Sequence, residues 1–355
     1  MRYRGDVLLD GQVKGWNCDF KRKQFLKLNG HKSPLQSWFE EVEHFEVSDS
    51  VKCDINVTKP AYLMKLDATV NMYHHFCDFI NLYITRHFNN DFNDDNYIVL
   101  WDTINYRSNF GDTFKAFTKN PILTLSNFKD KLVCFKDLTF TFLPRMVFGM
   151  YYNMPLIPGC HGSSLFKAFN RHILHRLDTP VDNGMSGSKT IRITVLSRST
   201  QFRRILNEQE LIDEMKKKSK NFVVKKVDFH HRIPFTEQLA ISANTDIFIG
   251  MHGAGLTHAL FMPDNSVLFE LYNCEDENCY KDLARLRGIK YITWENDAKL
   301  YPEDEGKHPT LGAHKKFTNY RFDKTEFMRL FMTAVKHVRD KRKESLTIKK
   351  FKDEL

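Results

Sequence analysis

Between Asp246 and Tyr272 the sequence reads Asp-Ile-Phe-Ile-Gly-Met-His-Gly-Ala-Gly-Leu-Thr-His-Ala-Leu-Phe-Met-Pro-Asp-Asn-Ser-Val-Leu-Phe-Glu-Leu-Tyr. Gly250 ends an apolar run, Gly253, Ala254 and Gly255 make a tight turn, and Leu256, Leu260 and Phe261 then recur at helical spacing up to Pro263. Such a turn leaves amide N–H groups unpaired at the positive end of a helix, a seat for phosphate. The same turn also serves plain α/β packing, so the residues around it decide its meaning. Arg198, just past its own strand, would add a bidentate phosphate contact. Arg203 and Arg204 stand in reserve, although they read more naturally as the solvated start of a helix. Glu270 ends a second apolar strand, where ribose hydroxyls commonly bind; a salt bridge to Arg285 or Arg287 is the competing reading. Tyr272 and Trp294 could stack on a base, or sit in the core.

Chemistry that activates a hydroxyl beside a bound phosphate also needs a general base. His74 and Asp78 are four residues apart, on one face of a helix capped by Asn71, so the carboxylate could orient the imidazole. His252 is the second candidate and Asp67 the third. A histidine beside an aspartate is often a purely structural pair.

These residues must be positioned by the elements around them. Ala61–Leu66, Tyr97–Trp101 and Leu132–Phe135 read as strands, and 72–87 as a helix. Ser163-Ser164 caps a helix with Leu165, Phe169, Ile173 and Leu177 on one face. After a turn-rich stretch from Asp178 to Ser188, read as an interdomain linker, strands at 191–196, 222–227, 247–249, 267–271 and 290–294 alternate with helices. That alternation predicts an α/β fold with a doubly wound parallel sheet, in which ligands lie beyond the carboxyl ends of the strands. The domains expected are 1–180, 188–335 and a basic tail, 336–355, that follows an amphipathic helix at 325–339.

With 355 residues, 42% of them hydrophobic and 13% aromatic, the chain is folded and too long for one core. Its formal charge of +9 gathers largely in the tail, and no base-stacking motif accompanies it, so nucleic acid is not an expected partner. No apolar run approaches membrane-spanning length. The terminal Lys352-Asp353-Glu354-Leu355 is an endoplasmic-reticulum retrieval signal, which implies the KDEL receptor as a partner. Met1 to Asp6 hold no apolar core, so a secretory leader is expected upstream. Seven cysteines, Cys18, Cys53, Cys77, Cys134, Cys160, Cys274 and Cys279, suit an oxidising lumen, with one left over if the others pair. Cys274 and Cys279 lack further ligands at zinc-site spacing. Asn56-Val57-Thr58 is a glycosylation sequon, with an exposed loop expected behind it.

Lys65-Leu66-Asp67-Ala68-Thr69-Val70-Asn71-Met72-Tyr73-His74-His75-Phe76-Cys77-Asp78-Phe79, Gly250 to His258 and Phe269 to Asp276 closely resemble the EGF-domain-specific O-linked N-acetylglucosamine transferases of glycosyltransferase family 61. The resemblance runs from about Gly15 to the retrieval signal. It implies a lumenal inverting enzyme with a GT-B-like pair of facing Rossmann-like domains. The donor would be UDP-N-acetylglucosamine, and the acceptors Ser or Thr hydroxyls on folded EGF-like repeats, as in Notch-type receptors and extracellular matrix proteins. The family pattern Asn-x-x-His-x-x-x-Asp falls on Asn71, His74 and Asp78. Where relatives carry Asp-Tyr-Asp this chain has Lys119-Asn120-Pro121, and it contains no Asp-x-Asp, so a metal requirement is not expected. The rival functions are an inactive lumenal relative that only binds EGF-like clients, and a transferase with another donor, such as UDP-xylose, or a glycan acceptor.

Overall fold

The computed structural model describes Trp38 and residues 52–101, 106–143, 162–182 and 189–353, with side chains up to 347. Expectations for Trp16, Cys18, Cys160, 183–188, Glu354 and Leu355 lie outside the described residues. The chain forms two compact units. Met1–Cys160 with Arg171–Leu177 makes the first, and His161–Asn170 with Asp178–Leu355 the second. Residues 161–170 thus belong to the second unit, which the sequence reading began at 188.

The second unit is built on five parallel strands: β7 (Ile191–Leu196), β8 (Phe222–Val227), β9 (Ile247–Gly250), β10 (Val267–Glu270) and β11 (Lys290–Thr293). Their order is β11-β10-β9-β7-β8. β9 and β10 are buried at every position, as strands covered on both faces must be, whereas the edge strand β8 exposes Lys225 and Lys226. Helices α3 (Glu208–Lys218), α4 (Phe235–Ala243), α5 (Cys279–Arg287) and α6 (Lys324–Asp353) surround the sheet. In α3, Glu208 and Glu210 lie in the first turn and Lys216 to Lys218 in the last, which suits the helix dipole. α6 buries Phe327, Phe331, Ala334, Val335 and Val338 along one stripe, with Phe327 stacked on Phe269. It continues unbroken through 336, so the expected separate basic tail is the outer half of this helix.

In this order the chain runs outward from β7 to β8 and then returns past β7 to β9. The reversal makes the β7/β9 pair the topological switch point, where open α/β sheets form their crevice. Leu196 and Gly250, the last residues of the two strands, are register partners.

The first unit has a four-stranded parallel sheet in the order β4-β3-β2-β6, from β2 (Ala61–Met64), β3 (Tyr97–Leu100), β4 (Leu123–Thr124) and β6 (Leu138–Phe140). β1 (Ile55–Val57) pairs in parallel with β5 (Val133–Phe135), beside the Cys53–Cys134 disulfide. Asn56 of the sequon is exposed on β1, and the expected loop follows directly at residues 58–60. Helix α1 (Met72–Phe88) crosses from β2 to β3; the Asn71 side chain caps it by accepting from Tyr73 N at 3.0 Å. Helix α2 (Ser164–Arg176) contributes to both units.

His172, on the part of α2 that belongs to the first unit, sits among Tyr83, Phe92 and Phe117, and its Nε2 is buried without a hydrogen-bond partner. Burial, with the nearby Arg176 and Arg86 charges, holds its pKa down to about 4. Between pH 6.5 and about 4 the unfolded chain takes up a proton that the folded chain refuses, so stability falls as pH falls. His172→Phe removes that penalty. The variant should gain on the parent by about 1.4 kcal/mol per pH unit below 6.5, or about 2 kcal/mol at pH 5. Urea unfolding at pH 7.5 and pH 5 measures this, and an equal difference at both pH values would contradict it.

Candidate functional site

At the β7/β9 switch point, glycine is required by contact as well as by conformation. A Cβ on Gly255 would lie 2.7 Å from Leu196 Cδ2, and one on Gly250 3.0 Å from Leu256 and 3.1 Å from Leu196. These two glycines let the turn pack on the end of β7. Gly253 differs: its φ is +151°, and a Cβ there would meet Arg198 Nη1 at 2.6 Å and Arg203 Nη1 at 3.3 Å. Both guanidinium groups therefore converge on this one backbone position.

Arg198 is partly buried, and its pKa is brought down to about 10 by desolvation first and by the Arg203 charge second. Arg203 donates from Nη1 to His252 O at 3.0 Å, while its Nε is buried with no partner. Among the described residues neither guanidinium has a carboxylate partner. Both Nη1 atoms lie within 3.3 Å of the same point, and two cations about 6 Å apart or less repel by roughly 3 kcal/mol or more at an effective dielectric near 20, so the arrangement favours a bound anion. Arg203 was expected to be solvated with Arg204. The two part because the 203–205 segment pairs with 318–320, which leaves Arg204 exposed and turns Arg203 inward.

The helix expected after the turn is a 3₁₀ helix, Ala254–Phe261, whose first bond runs from Leu256 N to Gly253 O at 2.9 Å. Two glycines and a Pro263 stop give little support to an α-helix, and the apolar spacing suits either form. Its dipole is short, so the positive field at Gly253 comes mainly from the arginines. Gly253→Ala should then weaken UDP binding by about 10- to 100-fold, because the new Cβ displaces the Arg198 guanidinium. Calorimetry with UDP is the check, and unchanged affinity would place the ligand elsewhere.

Behind the turn lies a buried relay. His252 Nδ1 contacts Glu270 Oε1 at 2.8 Å, and the Tyr291 hydroxyl donates to Glu270 Oε2 at 2.5 Å. Burial raises the Glu270 carboxyl, and its side chain is inaccessible to solvent. With no exposure and a protein partner on each oxygen, Glu270 here holds His252, whose carbonyl in turn accepts from Arg203, and presents no oxygen to a ribose. Nor does Glu270 pair with Arg285, which reaches Asp282, or Arg287, which reaches Asp264. His252 Nε2 faces Asp276 at 3.6 Å, and Lys316 donates to the same Asp276 oxygen. Cys274 is a buried thiol close by, pushed up to about 12 by burial, and not a disulfide. Tyr272 packs on Tyr320 and Trp294 on Phe322; both are core, not base-stacking, residues.

The base candidates of the first unit lie beyond the carboxyl end of β2. His74 Nδ1 meets Asp67 Oδ2 at 2.6 Å, with His74 about one-fifth exposed. Asp78 does not serve His74: it contacts His75 Nδ1 at 3.0 Å. The i,i+3 and i,i+4 positions both lie within reach on a helix, and Asp78 and His75 share the buried side. An imidazole that donates Nδ1–H to Asp67 keeps Nε2 as its acceptor nitrogen when neutral, the form a general base needs. Asp67, the third candidate, is thus placed to orient the His74 ring. Tyr291 and Lys316 carried no pattern in the sequence that marks them.

The chain was compared with known proteins. The Glycosyltransferase 61 family model matches residues 38–269. The EGF domain-specific O-linked N-acetylglucosamine transferase of Gallus gallus is 54% identical over 345 residues, which is 95% of this chain and 64% of that protein. That of Rattus norvegicus is 52% identical over 95% of this chain and 65% of its own length. That of Xenopus laevis is 51% identical over 99% of this chain and 68% of its own. The chain spans just under two thirds of the length of the first two of these relatives. With a parallel-sheet α/β architecture and a family model covering more than half its length, this chain belongs to the glycosyltransferase 61 family.

Proposed function

We propose that the chain is an inverting glycosyltransferase moving N-acetylglucosamine from UDP-N-acetylglucosamine to Ser or Thr hydroxyls of folded EGF-like repeats. The observation that carries the donor half is the convergence of two guanidiniums, Arg198 and Arg203, neither in an ion pair among the described residues, on the glycine turn of the switch point. The names of the relatives support the sugar and the acceptor. The family resemblance supports a GT-B-like pair of facing Rossmann-like domains. The Cys53–Cys134 disulfide and the terminal Lys-Asp-Glu-Leu support residence in the endoplasmic reticulum lumen with capture by the KDEL receptor.

In this reading the diphosphate lies against Gly253, Ala254, Gly255 and Leu256, with Arg198 and Arg203 as its charge partners. His74 Nε2, its ring held by Asp67, takes the proton from the acceptor hydroxyl. The acceptor oxygen attacks the anomeric carbon from the face opposite UDP. The bond to the β-phosphate oxygen breaks, its electron pair leaves with UDP, and the guanidiniums offset the charge that develops. Configuration at the anomeric carbon inverts.

The test is mass spectrometry of a folded EGF-like repeat incubated with the purified chain and, in separate arms, UDP-N-acetylglucosamine, UDP-xylose or UDP-glucose, with and without EDTA. Addition of one N-acetylhexosamine from the first donor alone, undiminished by EDTA, is expected. Binding of the repeat with no mass gain from any donor would replace this reading with that of an inactive relative, and gain from UDP-xylose would replace the donor.

A further inference from the structure

The loop that carries Asp67 is held from behind by a network the reaction itself does not use. The Asp67 backbone N–H donates towards both Asp78 oxygens at 3.3 Å. Asp78 Oδ2 contacts His75 Nδ1 at 3.0 Å, and His75 Nε2 contacts the Tyr106 hydroxyl at 2.7 Å. Asp78 and His75 have no side-chain exposure, and Phe79, Phe114 and Tyr106 surround the imidazole. Burial raises Asp78 well above the usual carboxylate range and holds His75 down to about 3, so the ring is neutral. A neutral imidazole donates at one nitrogen and accepts at the other, so His75 can bond to Asp78 and Tyr106 at once. A second tie lies alongside: Ser108 Oγ donates to Thr69 O at 2.7 Å, and Thr69 Oγ1 donates to Arg107 O at 2.9 Å.

We propose that Tyr106, through His75 and Asp78, is a positioning residue that braces the Asp67 loop so that Asp67 keeps His74 aimed at the acceptor hydroxyl. The proposal rests on the reading of His74 as the base. The network is not a proton wire to His74, because its last link is a backbone amide, which does not pass a proton on. It acts by geometry: the buried polar row fixes the amide of Asp67, and the carboxylate of the same residue fixes the imidazole. The Thr69–Ser108 clasp restrains the loop at its middle, and Asn71 restrains it at the cap.

Tyr106→Phe keeps the ring in its aromatic surroundings and removes the hydroxyl that His75 contacts. Its kcat for an EGF-like repeat is expected to fall about tenfold, with KM for the nucleotide sugar and the calorimetric affinity for UDP unchanged. Hydrogen exchange of the Asp67 amide is expected to quicken by tenfold or more, while the amides of β2 and β3 keep their protection. Ser108→Ala should show a smaller change of the same kind. Full kcat in Tyr106→Phe, or an Asp67 amide as protected as in the parent, would overturn the proposal. If the parent transfers no sugar, the functional reading fails by itself, and exchange at Asp67 still decides whether the brace exists.

Discussion

Arg198→Ala is expected to lower kcat/KM by about two to three orders of magnitude and to weaken UDP binding by a similar factor. Each charge-assisted hydrogen bond to a phosphate contributes about 1.5–3 kcal/mol, and a guanidinium at Gly253 can make two. A second expectation separates a ligand-binding arginine from a structural one. In the free protein Arg198 is partly desolvated near the Arg203 charge, and its Nε donates to Thr200 Oγ1 at 3.3 Å. Removing it relieves that cost, so the melting temperature of the free variant should hold or rise. Calorimetry with UDP and a thermal scan without it are the two measurements. Unchanged UDP affinity, or a sharp loss of stability, would take Arg198 out of the ligand site. Arg198→Lys should recover only part of the loss, because an ammonium lacks the planar fork.

His74→Ala is expected to reduce kcat by about 10²- to 10⁴-fold, the usual range for a lost general base, while UDP binding is intact. Asp67→Asn should give a milder loss of about ten- to a hundredfold, since the amide can occupy the carboxylate's place but does not favour the same tautomer and orientation of the ring. Steady-state rates on an EGF-like repeat, with UDP affinity measured in parallel, distinguish the cases. A His74→Ala enzyme at full rate would make the His74–Asp67 pair structural and return attention to His252, whose Nδ1 is already committed to Glu270.

The parts of the architecture that follow from local pattern were legible in the sequence. Ile247, Phe248 and Ile249 are apolar throughout because β9 is covered on both faces, and Asn71 caps α1 as its side chain dictates. The switch point was not legible, since it depends on β7 pairing with β9, strands more than fifty residues apart in sequence. Side-chain partners fared unevenly for a similar reason. His74 and Asp78 have helix-neighbour spacing, but His75 and Asp78 have it equally well, and only burial decides between them. Glu270 at a strand end reads the same whether it meets a ribose or a histidine. Arg203 reads as solvated until residues 318–320 pair with its segment and turn it inward. The sequence locates the turn and its arginine; the arrangement of second partners is a tertiary property.

A structure of the chain with UDP tests the central claim most directly. The account predicts the diphosphate at the Gly253 turn, with its oxygens within hydrogen-bond distance of the guanidinium groups of both Arg198 and Arg203. A diphosphate bound elsewhere, or one lying at the turn while both arginines point away, would contradict it.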